Sequence, residues 1–443
     1  MTQKNPTKKI VIIGAGWSGL SAACYLANSS NKVSIYESSK QLGGRARSVE
    51  INGNSVDNGQ HLLIGAYQET LKLLQLISAN TNQLLLRQNL VLNMFSPNKE
   101  KFSLKTYNIA SPFHLLLGLL FCSNLTISQK YKIIYFSIKL SSKTLLNKND
   151  ISVLKLLKSY KQPNDLIKLL WEPLCIATLN TPIEFASAKV FVNVLKKSLL
   201  GSKQDSDFLF TIKNLSAILP KPAELFLQQH NANIETSSRA TEIIINNNSI
   251  AGVIVNNKLI STKKLILAIP PYACEKLLSK HSELAILTKQ LSIFEYQPIC
   301  TIYLQYPSDI TLNQAMIGVW DTTVQWLFDR GVANQHGLIA AIISTHGTHM
   351  EMDNDTLIEK VQSEIALLFP NWPAPLHANI IREKRATFTC KVNISTSRPT
   401  NATTITGLYL AGDYTATDLP ATIEGAIISG KIAATEINHS NKE

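Results

Sequence analysis

An apolar run, Ile10–Ile13, ending abruptly in Gly14-Ala15-Gly16-Trp17-Ser18-Gly19 leaves a chain few choices. The run reads as a parallel strand buried on both faces. Residues 20–27 read as a helix, and 32–36 as a second apolar strand that closes on Glu37. Strand, glycine turn, helix, strand and acid together predict a dinucleotide-binding unit. Gly14 permits the tight turn, and Gly16 lets a pyrophosphate reach the backbone, with Ala15, Trp17 and Ser18 completing the loop. Gly19 lets the helix lie close to the sheet. The helix N-terminus faces the phosphates, and Glu37 accepts a hydrogen bond from a ribose hydroxyl. An acid at this position argues against a 2′-phosphate, and so against NADP. The competing reading is a glycine turn in an ordinary βαβ unit.

Six residues after Glu37 comes Gly43-Gly44-Arg45. This resembles the second fingerprint of the FAD-dependent amine oxidase and phytoene desaturase superfamily. The resemblance implies FAD, with the glycines passing close to it and Arg45 following its diphosphate side. Asp57-Asn58-Gly59-Gln60-His61 follows a predicted hairpin over 49–56 with its turn at Asn52-Gly53, and a helix over 67–77 comes next. In the resembled superfamily such a segment runs under the flavin ring. That puts Gly59, Gln60 and His61 beside the isoalloxazine, with Gln60 and His61 as candidate catalytic donors. The plainer reading makes Asp57 and Asn58 turn residues and His61 a packed core histidine.

At 443 residues the chain has room for about two domains or more. With 45% apolar and 17% charged residues it is globular rather than disordered. Six scattered cysteines without a C-x-x-C pair suggest buried reduced thiols, neither disulfides nor a metal site. The N-terminus carries no recognisable signal peptide, and no apolar run reaches about 18 residues, which predicts a cytoplasmic protein without a spanning helix. The net charge of +12 is concentrated: residues 101–170 carry eleven lysines, no arginine and two acids, Asp150 and Asp165, a net +9. No arginine pattern interleaved with aromatics accompanies them, which argues against nucleic acid.

The same region is unusually greasy. Ser111-Pro112 predicts a helix start, cap then first-turn proline. Residues 113–122 are apolar on all sides, and 127–146 mix Ile133, Ile134, Phe136, Ile138 and Leu140 with Lys130, Lys132, Lys139 and Lys143. A greasy helix followed by a basic amphipathic one fits insertion into one leaflet of an anionic membrane surface. It fits equally a helical cap over a substrate cavity. Residues 165–178 predict a helix interrupted at Pro173 and 184–200 another; Pro220-Lys221-Pro222 reads as a break. Trp171 and Glu172 line a pocket or serve packing and capping, and the sequence leans to packing.

Short strands follow at 234–236, 240–245, 250–255 and 264–268. The resemblance returns this block to the FAD domain, with the strand from Ala240 against the adenosine half. Strands at 299–305, 324–328 and 338–344 and a helix over 355–368 suit the sheet of a substrate domain. Near the end, a strand at 407–411 runs into Gly412-Asp413 and then a helix to about residue 437. By the same resemblance Asp413 lies near the ribityl chain or pyrophosphate. The helix opening at Thr422, Ile423 and Gly425 aims its positive end at the flavin N1/C2 edge, favouring an anionic reduced flavin.

Fold class follows: α/β, a Rossmann-type FAD-binding domain interleaved with an α+β substrate domain and a helical, partly membrane-facing cap. The FAD domain takes residues 1–65, 216–280 and 391–443, the helical region 66–215 (basic and membrane-facing over 101–170), and the substrate sheet 281–390. The runs DNGQHLLIGAY, WEPLCIATLNTP and LAGDYTATDLPATIEGA resemble a narrower family, the hydroxysqualene dehydroxylases of the bacterial squalene and hopanoid route, over nearly the whole chain. The resemblance implies reductive removal of an allylic hydroxyl from a lipophilic C30 isoprenoid by reduced FAD. It implies further an unidentified reductant for the flavin and loading from a membrane surface, with Trp171 and Tyr414 as candidate pocket walls. Rival readings on the same architecture are a carotenoid or phytoene desaturase, an amine oxidase, and a lipid-binding escort without flavin chemistry. The intact glycine motifs speak against the escort.

Overall fold

The computed structural model describes residues 9–51, 53–98, 101–141 and 149–440. Its first sheet is fully parallel, in the order Asn233–Glu235, Val33–Tyr36, Ile10–Ile13, Lys264–Leu267, Leu408–Leu410. In register, Ile12 stands between Ile35 and Ile266, and all three are fully buried. Continuous apolar strands need cover on both faces. Part of that cover is the helix Trp17–Asn28, packed against the C-terminal helix Ile423–Ser440. The two come so close that a Cβ on Gly430 would lie 2.2 Å from the Ser18 carbonyl oxygen. Ser21 bonds the Ile427 carbonyl across the seam at 2.9 Å.

A second, seven-stranded sheet runs His377–Phe388, Tyr296–Gln305, Leu338–Ser344, Trp326–Asp329, Met316–Val319, Val91–Phe95, Lys101–Lys105. The strand period of two splits its residues between two cores. Ile302, Leu304, Leu327, Ile339 and Ala341 face Leu357, Val361 and Ile365 of the helix Asn354–Leu368. Tyr303, Met316, Trp326, Phe328 and Ala340 face the large core that the helical region also fills, through Phe136, Trp171 and Phe191. The chain therefore crosses between the sheets repeatedly.

Several local expectations change. The region read as helical also supplies Val91–Phe95 and Lys101–Lys105 to the second sheet. Of the block from 233 to 268, only its first and last strands join the parallel sheet; Ala240–Asn246, Ser249–Val255 and Lys258–Ser261 form a separate antiparallel meander. The α-helix is interrupted just before Pro173, which sits in the first turn of the segment that follows. Its missing N–H is absorbed by a π-helical turn, Ile167–Trp171, and the α-helix resumes over Glu172–Leu179. Pro220 is not a break but opens the helix Pro220–Gln229, where a missing N–H costs nothing. The Ser111 hydroxyl does not cap; the helix Phe113–Leu120 begins after Pro112 without a side-chain bond at its cap. The basic helix spans Ile127–Ser141, and the predicted continuation to 146, like Asn52 of the predicted hairpin turn, lies outside the described residues. All six cysteines are free and buried, and no described helix is long and apolar enough to cross a membrane.

Candidate FAD and active site

The glycine loop, the segment after Glu37, Pro270-Pro271 and Gly412-Asp413 all leave the carboxyl edge of the parallel sheet, where ligands bind in folds of this kind. Their positions are dictated by close backbone approach. Gly14 has φ of +99°, and a Cβ there would lie 2.4 Å from the Ala268 carbonyl oxygen. A Cβ on Gly44 would lie 3.1 Å from the Gly16 Cα, so the two glycine motifs face each other with no side chain between them. Trp17 is buried and its indole N–H donates to the Ala46 carbonyl at 2.7 Å, pinning the second motif to the first helix. Buried Ser18 reaches the Ala411 carbonyl at 3.5 Å, linking the first motif to the last strand.

The Glu37 carboxylate is buried. It accepts from the Ala15 amide at 2.7 Å and the Ser39 amide at 2.7 Å. The Ser38 hydroxyl adds a longer bond at 3.4 Å, and as a carboxylate has about four acceptor positions, one remains for a ribose hydroxyl. Ser237 and Ser238 pair with the backbone of Ser39 and Glu37, which brings the start of the meander, and so Ala240, to the same end.

At the other end Arg45 donates to the Asp413 carboxylate at 2.7 Å and to the Ala386 carbonyl at 2.7 Å. Burial works against the Arg45 charge, but Asp413, with Glu383 and Tyr296 adding to it, raises the guanidinium pKa. A cleft beside this pair is lined by Pro270, Tyr272, Tyr296, Phe388 and Tyr414. A wider surface groove, between 77–84 and 222–230, holds none of these groups. Tyr414 is 1% exposed and its hydroxyl meets the Cys274 thiol at 3.3 Å. Thr422 bonds the Gly425 amide through its hydroxyl at 3.1 Å and so fixes the opening turn of Ile423–Ser440.

Gly59 has φ of +89°, and a Cβ there would come 3.7 Å from the Thr301 hydroxyl. The segment it begins is held from below by a cation that sequence reasoning missed. Arg330, 2% exposed, donates to the Gln60 side-chain oxygen at 2.9 Å, to Gln335 at 3.0 Å, and stands 3.4 Å from the Asp57 carboxylate. Tyr303 donates to the Asp57 carbonyl at 2.9 Å. Burial pushes the Asp57 carboxyl up, against Arg330, the Leu215 amide and His61. Asp57 is therefore half of a buried ion pair, not merely a turn former. His61 is half-buried; its Nδ1 donates to the Gly59 carbonyl at 2.9 Å, which leaves Nε2 without a proton in the neutral ring. Burial lowers its pKa, so the ring stays neutral.

Trp171 is not at the cleft. It is buried among the helices, donating to the Gln162 side chain at 3.0 Å and meeting Phe136 edge-on at 5.2 Å, so its place as a pocket wall gives way to packing. Glu424 is no ordinary first-turn acid. Its buried carboxylate accepts from the Glu69 amide (2.9 Å), the Thr70 amide (2.9 Å) and the Thr70 hydroxyl (2.6 Å), capping the helix Gln68–Leu76 from 354 residues away. Burial raises its pKa against those three bonds.

Residues 17–438 match the family model for flavin containing amine oxidoreductase. The chain belongs to that family. It is an FAD-dependent oxidoreductase. Among curated proteins it is 26% identical to the hydroxysqualene dehydroxylase of Zymomonas mobilis, across 97% of this chain and 99% of that one. It is 24% identical to that of Sinorhizobium fredii, across 96% and 97%. The zeta-carotene desaturase of Arabidopsis thaliana is 22% identical, across 99% and 87%. Among solved structures an oxidoreductase from Methanosarcina mazei superposes with a TM-score of 0.77 at 16% identity, covering 97% and 100%. A putrescine oxidase superposes at 0.75 and 13%, covering 98% and 99%.

The residues fit FAD. Two facing glycine motifs leave room for a diphosphate, Glu37 has a free acceptor position at one end, and at the other the buried Thr301 hydroxyl, 3.7 Å from a Cβ built on Gly59, has no hydrogen-bond partner. Gly14 to Gly19, Gly43 to Arg45, Gly412 and Asp413 converge there.

Proposed function

We propose that the chain is a hydroxysqualene dehydroxylase, reducing a C30 allylic alcohol to squalene and water. The near end-to-end alignment with three hydroxysqualene dehydroxylases, at 24–26% identity, carries this reading. The balance is R–OH, one proton and the hydride of reduced FAD giving R–H, water and oxidised FAD. Bound FAD supplies hydride at flavin N5. The chain must hold the substrate across that face, exclude water and deliver the proton that lets hydroxide leave as water.

Gln60 and His61 belong to the segment expected under the ring, and Arg330 and Asp57 fix its height. Gln60 donates its amide hydrogen to the His61 carbonyl at 3.1 Å. With Nδ1 committed to Gly59, His61 serves as an acceptor at Nε2 rather than as an acid. The Tyr296 hydroxyl, buried at the cleft, keeps its proton because burial pushes its pKa up to about 12, and it is the group there that still has a proton to give. Tyr272, Tyr414 and Phe388 give that cleft an aromatic wall suited to a cation-like allylic carbon.

The substrate is a membrane lipid, and the helical region offers a way to it. Among the described residues, nine of the eighteen large apolar side chains exposed to solvent fall between Tyr107 and Ile138, including Phe113 (58%), Phe121 (71%), Ile127 (87%) and Ile138 (65%). Lys130 and Lys139 stand among them. An apolar patch with lysines at its rim suits the anionic inner face of a cytoplasmic membrane. The reading places the enzyme in bacterial squalene and hopanoid synthesis, peripheral on that face, with a separate donor re-reducing FAD.

The deciding experiment is anaerobic. Photoreduced holoprotein mixed with hydroxysqualene should reoxidise its flavin and yield squalene. The zeta-carotene desaturase alignment supports a second reading, hydride removal from a carotenoid precursor. Oxidised holoprotein that bleaches with phytoene, and reduced holoprotein inert to hydroxysqualene, would favour it.

A further inference from the structure

One buried hydroxyl on the second sheet has no task in the fold. Thr301 lies midway along Tyr296–Gln305, 1% exposed, opposite Ile342 on one neighbouring strand and Ile381 on the other. Ile299, Tyr303, Ile342 and Ile381 share its face, which packs into the large core. An aliphatic side chain would suit that row, whereas a buried hydroxyl left unpaired destabilises it. The Thr301 hydroxyl has no hydrogen-bond partner among the described residues.

The strand aims this hydroxyl at the segment after Asp57. Two residues along, Tyr303 donates to the Asp57 carbonyl at 2.9 Å and lays the strand across that segment. A Cβ on Gly59 would meet the Thr301 hydroxyl at 3.7 Å and, its chain neighbours aside, no other atom within 4 Å. Glycine thus keeps a gap in front of the hydroxyl. The two residues after Gly59 carry matching groups. Arg330 has only donors, so the Gln60 atom that it meets at 2.9 Å is the oxygen, and the amide nitrogen is turned away from it. That nitrogen gives one hydrogen to the His61 carbonyl at 3.1 Å and keeps a second, while His61 Nε2 is left as an acceptor. An alcohol both donates and accepts, and so answers such a set; a hydrocarbon does neither.

We propose that Thr301 binds the hydroxyl group of the substrate and makes the site select an alcohol over a hydrocarbon of the same skeleton. This rests on the C30 allylic alcohol as substrate. A polar edge of the flavin is the other partner open to the Thr301 hydroxyl, but the flavin is there with or without substrate. The two partners therefore separate in one set of measurements.

Oxidised holoprotein binds without turnover, so hydroxysqualene and squalene are each titrated into it in detergent and followed by the change in flavin absorption. The wild type should prefer the alcohol by at least about tenfold, the scale set by a buried polar group left unpaired. Thr301→Val should lose about tenfold on the alcohol and nothing on squalene, with the ligand-free flavin spectrum and midpoint potential unchanged. Thr301→Ser restores the hydroxyl and should restore the preference. Equal losses for both ligands in Thr301→Val would make the residue a plain wall and overturn the proposal. A shifted potential in the ligand-free variant would assign the hydroxyl to the flavin and overturn it too. Should Thr301→Val not retain flavin, the wild type decides. A wild type that reduces hydroxysqualene yet binds it no better than squalene refutes the hydroxyl site alone. A preference for the alcohol without reoxidation of photoreduced flavin supports the hydroxyl site and refutes the dehydroxylase reading, and binding of neither ligand overturns both.

Discussion

Replacing Glu424 tests how the cofactor domain is locked to the helix behind the Gly59–His61 segment. The Glu424→Ala variant strips acceptors from the Glu69 amide, the Thr70 amide and the Thr70 hydroxyl. Loss of a helix cap costs about 1 kcal/mol. A buried donor left without an acceptor costs about 1–3 kcal/mol, and Thr70 is fully buried. Against this, the carboxylate no longer bears the desolvation that raises its pKa. The net expectation is about 3 kcal/mol for Glu424→Ala. Glu424→Gln retains one oxygen but turns an amide nitrogen towards donors, and should cost about 1–2 kcal/mol. Urea unfolding followed by tryptophan fluorescence gives the midpoint, and flavin fluorescence in the same samples reports release of the cofactor. In Glu424→Ala both should move to lower urea, flavin release first. A midpoint shift equivalent to less than about 0.5 kcal/mol, the usual effect of a surface substitution, would refute the reasoning.

At the adenosine end, Glu37→Ala should lower FAD affinity about tenfold to a hundredfold, since hydrogen bonds to a charged group are worth about 1.5–3 kcal/mol; full FAD content after gel filtration would remove Glu37 from the ribose. Trp171→Phe should leave turnover unchanged and cost about 1 kcal/mol through the lost bond to Gln162, measured by the same urea series. His61, His114 and His349 all have burial-lowered pKa values, below the ordinary 6.5. Their neutral forms stabilise the fold fully above that pH, and the contribution drains away as pH falls, by up to about 1.4 kcal/mol per unit for each. Melting temperature should drop between pH 6.5 and 5, and a flat profile contradicts the burial argument. Combining Phe121→Ser, Ile127→Ser and Ile138→Ser should weaken co-sedimentation with vesicles of anionic lipid at least tenfold, since fully burying each such side chain is worth about 1.5–3 kcal/mol; a wild type that stays in the supernatant would argue for a cap and not a docking face.

The motifs were legible because their physics is local. Glycine turns, a first-turn hydroxyl at Thr422 and an acid at the end of a strand are fixed by neighbours within a few residues, and the parallel sheet follows from unbroken apolar strands. The supports of the site were not legible, because their partners are remote in sequence. Nothing near Arg330 announces that it will bury against Asp57 and Gln60, 270 residues earlier in the second case. Glu424 looks like any acid in a first turn until Thr70 is beside it. One proline misled: Pro220 starts a helix where a break was expected, whereas Pro173 does mark a change of helical hydrogen bonding, in the first turn after a π-helical stretch. Trp171 was ambiguous for a plain reason, as a pocket wall and a core residue look alike in composition.

The parallel sheet takes its outermost strand, Leu408–Leu410, from the last tenth of the chain, and the helix behind it is the final described element. During synthesis the four earlier strands must wait beside an unfinished edge until residues 408–410 have emerged. Cofactor capture thus waits for that strand, and a polypeptide that stops before it holds the two facing glycine motifs but neither Asp413 nor the helix Ile423–Ser440. Such a product should be a ready target for proteases, and free FAD at the moment of release should decide how much enzyme survives.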